Sequence, residues 1–205
     1  EIADRDWSSD VCSSDLAQVI GNTAIFNGAG IYTKGELTME NCTITDNKTT
    51  GASSNTGGGG VYVESGIVEI KDATKIYHNY TDASGGGIYV NDGTVTLKNA
   101  TIGGEQLYDG SDPGKTKGNE AKSGGGVYIE GNGTSVTMNG GSIQYNKTID
   151  GYGGGVYVGG SGTSFTMTGG KITQCKADVT SPSSTVGRGG APTRSEERRV
   201  GKECR

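Results

Sequence analysis

Residues 153–158 read GGGVYV, and closely related strings occur five times along the chain. Each has an apolar residue, a tyrosine and a third residue, and follows a run of glycines or, once, Gly-Ala-Gly. The five are Ile31-Tyr32-Thr33, Val61-Tyr62-Val63, Ile88-Tyr89-Val90, Val127-Tyr128-Ile129 and Val156-Tyr157-Val158. They begin 30, 27, 39 and 29 residues apart. Self-similarity at this period indicates a repeat architecture.

Two further elements follow each string after polar turns. The second strings are Leu37-Thr38-Met39, Val68-Glu69-Ile70, Val95-Thr96-Leu97, Val136-Thr137-Met138 and Phe165-Thr166-Met167. The third elements are centred on Ile44, Ile76, Ile102, Ile143 and Ile172. Apolar–polar–apolar alternation is typical of a short strand with one buried face. The pattern therefore predicts three short strands per repeat.

A single repeat of about 30 residues cannot bury its own apolar face, whereas stacked repeats can. Stacking as parallel strands would align equivalent residues in columns. We expect one column of Ile31, Val61, Ile88, Val127 and Val156, and another of Met39, Ile70, Leu97, Met138 and Met167. The predicted fold is all-β: a right-handed parallel β-helix (solenoid) of about five coils of 27–39 residues.

The glycine runs followed by VYV strings, with VTMNGGSIQYN at residues 136–146, resemble a known family. They are similar to the right-handed parallel β-helices of the pectin-lyase-like superfamily, and more narrowly to Gly-rich repeats of bacterial surface and secreted proteins, including adhesins. The resemblance covers nearly all of residues 17–193. It implies the fold and an extracellular or cell-surface location, but it does not by itself imply a function.

The two ends of the chain resemble translated sequencing-adapter oligonucleotides. Residues 6–16 read DWSSDVCSSDL and residues 194–205 read RSEERRVGKECR. We therefore expect residues 1–16 and 194–205 to be adapter-derived rather than biological. Residues 17–193 are then a β-helix fragment that starts and stops within a repeat, and the natural protein is expected to be longer. An insertion loop at residues 103–117 explains the 39-residue step.

One asparagine per repeat follows the third element. The column comprises Asn22, Asn47, Asn79, Asn119 and Asn146, and Cys175 takes its place in the last repeat. Stacked asparagine amides can bond to one another in parallel stacks, so we predict a structural ladder, with a polar binding stripe as the alternative.

Cys42 and Cys175 lie about four coils apart, or ~19 Å at strand spacing, which is too far for a disulfide.

The tyrosine column is the most distinctive candidate binding feature. If its flanking residues point inward, Tyr32, Tyr62, Tyr89, Tyr128 and Tyr157 form an exposed stripe of stacked rings. Such a stripe can bind sugar rings or a protein, although tyrosine is also common in strands for its packing alone. A second candidate site lies in the insertion loop, at Tyr108, Asp109 and Asp112.

The remaining polar residues give little indication of chemistry. Glu64 and Glu69 share one coil, but Thr96 stands where Glu69 would recur. His78, the one histidine, is interpreted as a turn residue. We therefore predict no catalytic residue, no metal and no cofactor. With a net charge of −5, the chain lacks the basic footprint of a nucleic-acid-binding protein, and no apolar run is long enough to span a membrane.

The sequence favours a non-enzymatic module that is secreted or displayed on the cell surface, an adhesin-like stalk or contact surface. Its expected partners are a carbohydrate or a protein of a host or cell surface. The alternative is part of a polysaccharide-active enzyme, a lyase or glycosidase, whose catalytic coils lie outside residues 17–193. A third possibility, a disordered spacer, would give a featureless circular dichroism spectrum.

Overall fold

The structure, a computed structural model, describes residues 17–53, 56–105, 117–149 and 151–178, together with the backbone of residues 10–12. This part of the chain is built of β-strands, turns and bends, and it contains no helix. The strands are β1 (Asp10–Cys12), β2 (Gln18–Ile20), β3 (Thr23–Ala24), β4 (Ile31–Lys34), β5 (Leu37–Met39), β6 (Thr43–Thr45), β7 (Lys48–Thr49), β8 (Val61–Ser65), β9 (Ile67–Ile70), β10 (Lys75–Tyr77), β11 (Tyr80–Thr81), β12 (Ile88–Val90), β13 (Thr94–Leu97), β14 (Thr101–Ile102), β15 (Glu120–Ala121), β16 (Val127–Ile129), β17 (Ser135–Gln144), β18 (Lys147–Ile149), β19 (Val156–Val158), β20 (Ser164–Thr173) and β21 (Lys176–Asp178).

These strands wind into a parallel β-solenoid. The first strands of the coils form a five-stranded sheet in the order β19-β16-β12-β8-β4. The last strands form a six-stranded sheet in the order β21-β18-β15-β11-β7-β3. A ten-stranded sheet contains the second and third strands, which are continuous with each other in β17 and β20. Because each strand pairs with its equivalent in the next coil, a turn in one coil lies beside the same turn in its neighbours.

The register matches the predicted columns. Ile31, Val61, Ile88, Val127 and Val156 are successive partners along the five-stranded sheet. Met39, Ile70, Leu97, Met138 and Met167 are successive partners along the second strands. The prediction of a parallel β-helix with about five coils is therefore confirmed.

The interior is one continuous apolar core. Ile44, Ile76, Ile102 and Ile143 are fully buried, and they pack with the aliphatic residues of the first two columns. Met167 and Ile172, in the last coil, pack against this core but are only partly buried. The core therefore depends on each coil being covered by the next, as the sequence predicted.

The prediction of three strands per coil is wrong, because each coil has a fourth strand position. It follows the ladder asparagine and comprises only two or three residues, as in β7 and β11. Its inward residues are mostly threonines, such as Thr49, Thr81 and Thr148, which are buried. Two residues are too few to show alternation in a sequence, so this strand was not recognised.

The glycine runs allow coil backbones to approach closely. The first glycine of a run has a left-handed backbone, as at Gly85 with φ 69°, although in the run 57–60 it is the second, Gly58, with φ 65°. The next glycine has another role: a Cβ at Gly86 would lie 2.6 Å from the carbonyl oxygen of Glu120 and 2.7 Å from that of Gly125. Backbone amides in these runs donate to carbonyls of the following run, as from Gly86 to Gly124 at 3.2 Å. The runs are therefore required by packing as well as by turn geometry.

No segment of the described residues forms a helix with the length and apolar character needed to cross a membrane.

Candidate functional site: two axial stacks and a polar depression

The predicted tyrosine column forms a stack of rings along the five-stranded sheet. Neighbouring ring centroids are 5.6 Å apart for Tyr32 and Tyr62, 4.8 Å for Tyr62 and Tyr89, 4.9 Å for Tyr89 and Tyr128, and 4.7 Å for Tyr128 and Tyr157. The rings of the first and last pairs are almost parallel, at 2° and 7°. The stack thus places an aromatic ring on every complete coil.

The exposure predicted for this stripe is wrong at its centre. Tyr32 is 50% exposed, but Tyr62 and Tyr89 are only 2% and 1% exposed. The glycine-rich segments fold over the central rings: a Cβ on Gly57 would lie 2.7 Å from a ring carbon of Tyr89. Tyr128 and Tyr157 are intermediate. A ligand can therefore reach the edges of some rings, but the stack does not present five exposed faces.

The hydroxyl groups of two stacked tyrosines converge on one carboxylate. Tyr89 and Tyr128 donate to Oε2 of Glu130 at 3.0 and 3.1 Å. Burial, reinforced by the Glu130 charge, raises the pKa of both phenols well above the ordinary value. Burial and the Glu64 charge likewise raise the pKa of Tyr62 to about 12. These phenols are therefore neutral hydrogen-bond donors at neutral pH.

The asparagine column forms the ladder that the sequence predicted. In each step the Oδ1 atom accepts bonds from the backbone N–H and the Nδ2 of the asparagine one coil earlier. For Asn79 and Asn119 these distances are 3.1 and 3.0 Å. The Nδ2 of Asn119 donates in turn to the carbonyl of Ile76 and to Oδ1 of Asn146, at 2.8 and 2.9 Å. Both amide hydrogens are used in the ladder, so these side chains serve structure.

The ladder changes character at its two ends. Asn22 is exposed, and its backbone N–H and its Nδ2 both donate to Oδ1 of Asn47. At the other end Cys175 replaces asparagine, with its sulfur 3.8 Å from Nδ2 of Asn146. Burial raises the pKa of the Cys175 thiol. Cys175 is free while Cys42 is disulfide-bonded, so the two do not bond to each other, in agreement with the predicted separation.

A polar depression on the outer surface beside the ladder was not recognised in the sequence. Its volume is about 310 Å³. Lining residues are Asp46, Asn47, Lys48, His78, Asn79, Tyr80, Gly118, Glu120 and Lys147. They come from four successive coils: Lys48, Tyr80, Glu120 and Lys147 are consecutive partners in the six-stranded sheet. A Cβ on Gly118 would collide with the backbone of Tyr145, so position 118 must be occupied by glycine.

The most specific contact in the depression joins Asp46 and His78. Nδ1 of His78 lies 2.6 Å from Oδ1 of Asp46, and both side chains are about half exposed. Burial raises the pKa of Asp46, but hydrogen bonds from Thr45 and His78 outweigh it and hold that pKa below its ordinary value. His78, interpreted from the sequence as a turn residue, lies in a turn, with φ 55°. Asp46 and His78 each directly precede a ladder asparagine, in consecutive coils. The sequence pattern could therefore have indicated that their side chains are neighbours.

Tyr80 is the aromatic residue of the depression. Nζ of Lys48 lies 5.1 Å from the centre of its ring, and its hydroxyl donates to Asp82. The hydrogen bond to Asp82, aided by burial, raises the pKa of Tyr80 to about 12. An aromatic ring beside lysines, carboxylates and amides can contact a sugar or a polar protein surface.

The carboxylates considered from the sequence form no acidic centre among the described residues. Glu69 is paired with Lys98 at 2.7 Å and Lys71 at 3.0 Å, and these hydrogen bonds lower its pKa. The described part of the chain also holds no group of three metal-ligating side chains. The candidate loop residues Tyr108, Asp109 and Asp112 lie outside the described residues.

Comparison with known proteins identifies one family. The family model for the right handed beta helix region matches residues 10–189. No curated protein and no solved structure shows significant similarity to the chain. The match begins within the N-terminal stretch that resembles adapter sequence, and the backbone of β1 there pairs with β5. The adapter origin of both ends stays a prediction.

Proposed function

Since the chain belongs to the right handed beta helix region family, in which surface and polysaccharide-related roles are both compatible with the fold, we propose that it is a non-enzymatic contact module. It would be secreted or displayed on the cell surface and act as an adhesin-like stalk. Its partner would be a carbohydrate or a protein on another surface.

The observation that carries this proposal is the continuity of the two axial stacks. The asparagine ladder extends from Asn22 to Asn146, and the tyrosine stack from Tyr32 to Tyr157. Each coil is bonded to the next at equivalent positions, so force along the axis is shared by many parallel contacts. Such a rod suits a stalk, which must hold a contact surface away from its base.

The polar depression supports the choice of contact surface. It combines the Tyr80 ring with cationic and anionic side chains contributed by four coils. Polar groups around an aromatic ring are suited to sugars, which offer apolar faces and many hydroxyls. The partly exposed rings of the tyrosine stack, Tyr32 above all, remain a second candidate surface.

Binding to immobilised polysaccharides tests the proposal. The panel should include neutral and acidic polymers, with purified cell-surface proteins alongside. We expect retention of the wild-type chain by at least one member, and loss of it in the Tyr80→Ser, Lys48→Met double variant. Lys75→Met is the matched control, since Lys75 is exposed on a different sheet. Equal retention of all three proteins would exclude the depression, and Tyr32→Ser would then test the stack.

A second candidate, an enzyme with its catalytic residues inside the described coils, differs from the alternative made from the sequence and rests on one specific contact, the Asp46–His78 pair. A carboxylate at Nδ1 orients an imidazole so that Nε2 can accept a proton. Release of reducing ends or unsaturated sugars from the same polysaccharides would favour this second candidate. If His78→Ala abolished that release, the pair would be catalytic and the non-enzymatic proposal would be wrong.

A further inference from the structure

Six Asn-x-Thr sequences, the acceptor pattern for N-linked glycans, occur in the chain. They are Asn41-Cys42-Thr43, Asn47-Lys48-Thr49, Asn79-Tyr80-Thr81, Asn99-Ala100-Thr101, Asn132-Gly133-Thr134 and Asn146-Lys147-Thr148. This pattern normally marks a surface loop, because an attached glycan is bulky and hydrated. The solenoid divides the six into two classes with opposite environments.

Three of the six asparagines belong to the buried ladder. Asn47, Asn79 and Asn146 are at most 1% exposed. The threonine of each site is also buried, because it is the inward residue of the fourth strand. The ladder and the threonine column thus create the acceptor pattern as a by-product of the fold.

A glycan on a ladder asparagine is incompatible with this packing. Transfer forms a bond between Nδ2 and C1 of the sugar, breaks the bond from C1 to the diphosphate of a lipid- or nucleotide-linked donor, and releases one amide proton. Both Nδ2 hydrogens of Asn47 are already used, one for the Val19 carbonyl and one for Oδ1 of Asn79, each at 2.9 Å. Modification would remove one bond and place a sugar inside the solenoid wall, where buried polar groups need partners.

The other three asparagines are in exposed turns. Asn41, Asn99 and Asn132 are all exposed. Asn99 donates one Nδ2 hydrogen to Asp72 at 3.0 Å, which leaves the second hydrogen replaceable. Turns at the corners of a solenoid can carry bulk without disturbing the coil contacts.

We propose that the solenoid fold tolerates N-linked glycans at Asn41, Asn99 and Asn132, and that modification at Asn47, Asn79 or Asn146 prevents folding. N-linked glycans are added to unfolded chains during export, before burial can protect the ladder. The protein must therefore fold along a route on which its unfolded chain meets no such transferase. This inference does not depend on what the module binds.

The experiment expresses the whole chain by two routes. Production in a host without N-glycosylation gives the baseline for folding, measured by circular dichroism and protease resistance. Export through a eukaryotic secretory pathway gives the test, with glycans located by mass spectrometry of peptides. A Thr49→Val, Thr81→Val, Thr148→Val variant removes the ladder acceptor sites and keeps every ladder asparagine. Thr43→Val, Thr101→Val, Asn132→Gln is the matched control for the exposed turns.

Each result has a defined meaning. We expect the exported wild type and the exposed-turn control to carry ladder glycans and to lose protease-resistant protein. The ladder-site variant should fold by both routes and carry glycans at the exposed turns alone. Folded wild type with a glycan on any ladder asparagine, or a yield of folded wild type after export equal to that of the ladder-site variant, would overturn the inference. So would a ladder-site variant that folds in the baseline host and fails on export.

Discussion

The asparagine ladder and the tyrosine stack each use one residue type per coil, yet they are stabilised differently. The ladder lies inside the wall of the solenoid, and each asparagine there bonds to its neighbours on both sides. The tyrosine stack lies outside the apolar core, and its burial ranges from Tyr89, at 1% exposed, to Tyr32, at 50%. The ladder hydrogen bonds are made between the asparagines of the column, whereas the burial of a tyrosine ring depends on the glycine-rich segments that lie over it.

Because of this difference, the last residue of each column is contacted in a different way. At the last coil the ladder continues as Cys175, whose sulfur still approaches Asn146. The tyrosine stack ends at Tyr157, where the ring of Tyr152, from the preceding turn, lies 6.2 Å away. A hydrogen-bonded column needs a partner of suitable chemistry, while a stacked ring needs only a surface against it.

The largest effect is expected from breaking the ladder at its middle. Asn119→Ala would leave both the backbone N–H and one Nδ2 hydrogen of Asn79 without their acceptor, and it would also remove the bonds from Nδ2 of Asn119 to the Ile76 carbonyl and to Oδ1 of Asn146. At about 1–3 kcal/mol for each unsatisfied buried group, we expect a loss of about 3–5 kcal/mol. Urea unfolding followed by circular dichroism measures it. Asn22→Ala, at the exposed end, should cost less than about 1 kcal/mol; an equal loss at both positions would contradict the ladder as a source of stability.

The glycine runs that cover the tyrosines give the next largest effect. Gly86→Ala would force a methyl group against the carbonyls of Glu120 and Gly125. Because backbone atoms cannot move aside as side chains do, we expect a loss of about 2–3 kcal/mol. In Gly35→Ala the methyl group meets nothing within 4 Å. That control should leave the midpoint of thermal unfolding nearly unchanged, so similar shifts in the two variants would show that close approach is not the reason for the runs.

Alkaline pH tests the tyrosine stack separately from the ladder. Folding raises the pKa of Tyr62, Tyr89 and Tyr128 above that of an exposed phenol, about 10. The unfolded chain therefore releases these protons first, and the stabilisation, complete below about pH 10, should be lost as pH rises above it. Melting temperatures from pH 8 to 12, with phenolate absorbance recorded in parallel, measure the loss. A Tyr62→Phe, Tyr89→Phe, Tyr128→Phe variant should decline less steeply; an identical decline would assign the effect to other groups.

The smallest effect is expected from the threonine column beside the ladder. Oγ1 of Thr148 is buried and has no hydrogen-bond partner among the residues that the structure describes. Thr148→Val removes this hydroxyl with little change in volume, and we expect a gain of about 1 kcal/mol in the free energy of unfolding. Thr49→Val is the matched control, because Oγ1 of Thr49 donates to the carbonyl of Gly58 at 3.3 Å. A gain at Thr49 equal to that at Thr148 would show that the unpaired hydroxyl is not the cause.

Most of the fold could be predicted because the period was visible in the residues. The spacing of the VYV strings indicated the coil length. The alternation of apolar residues indicated the first two strand positions with their inward side, and the recurring isoleucine indicated the third. The fourth strand was missed since two residues such as Tyr80-Thr81 carry no period. Asn119 was placed correctly in the ladder despite the insertion before it, because its contacts need only an asparagine directly before the fourth strand of the coil, here β15.

The candidate site was less predictable, since it depends on lateral neighbours. Asp46 and His78 are 32 positions apart and meet because each occupies the same turn of consecutive coils. The polar depression requires four coils in register, together with the small Gly118 in one of them. A sequence shows which residues recur, but it does not show how the turns between them fold.

The sequence by itself determined the coil period, the inward columns and the asparagine ladder, because these depend on residues repeated at a fixed position in every coil. The tertiary structure alone decided which tyrosines are buried, which polar residues share a depression and which asparagines remain exposed. Those properties depend on the path of the non-repeating turns and on the backbone that each turn places over its neighbour.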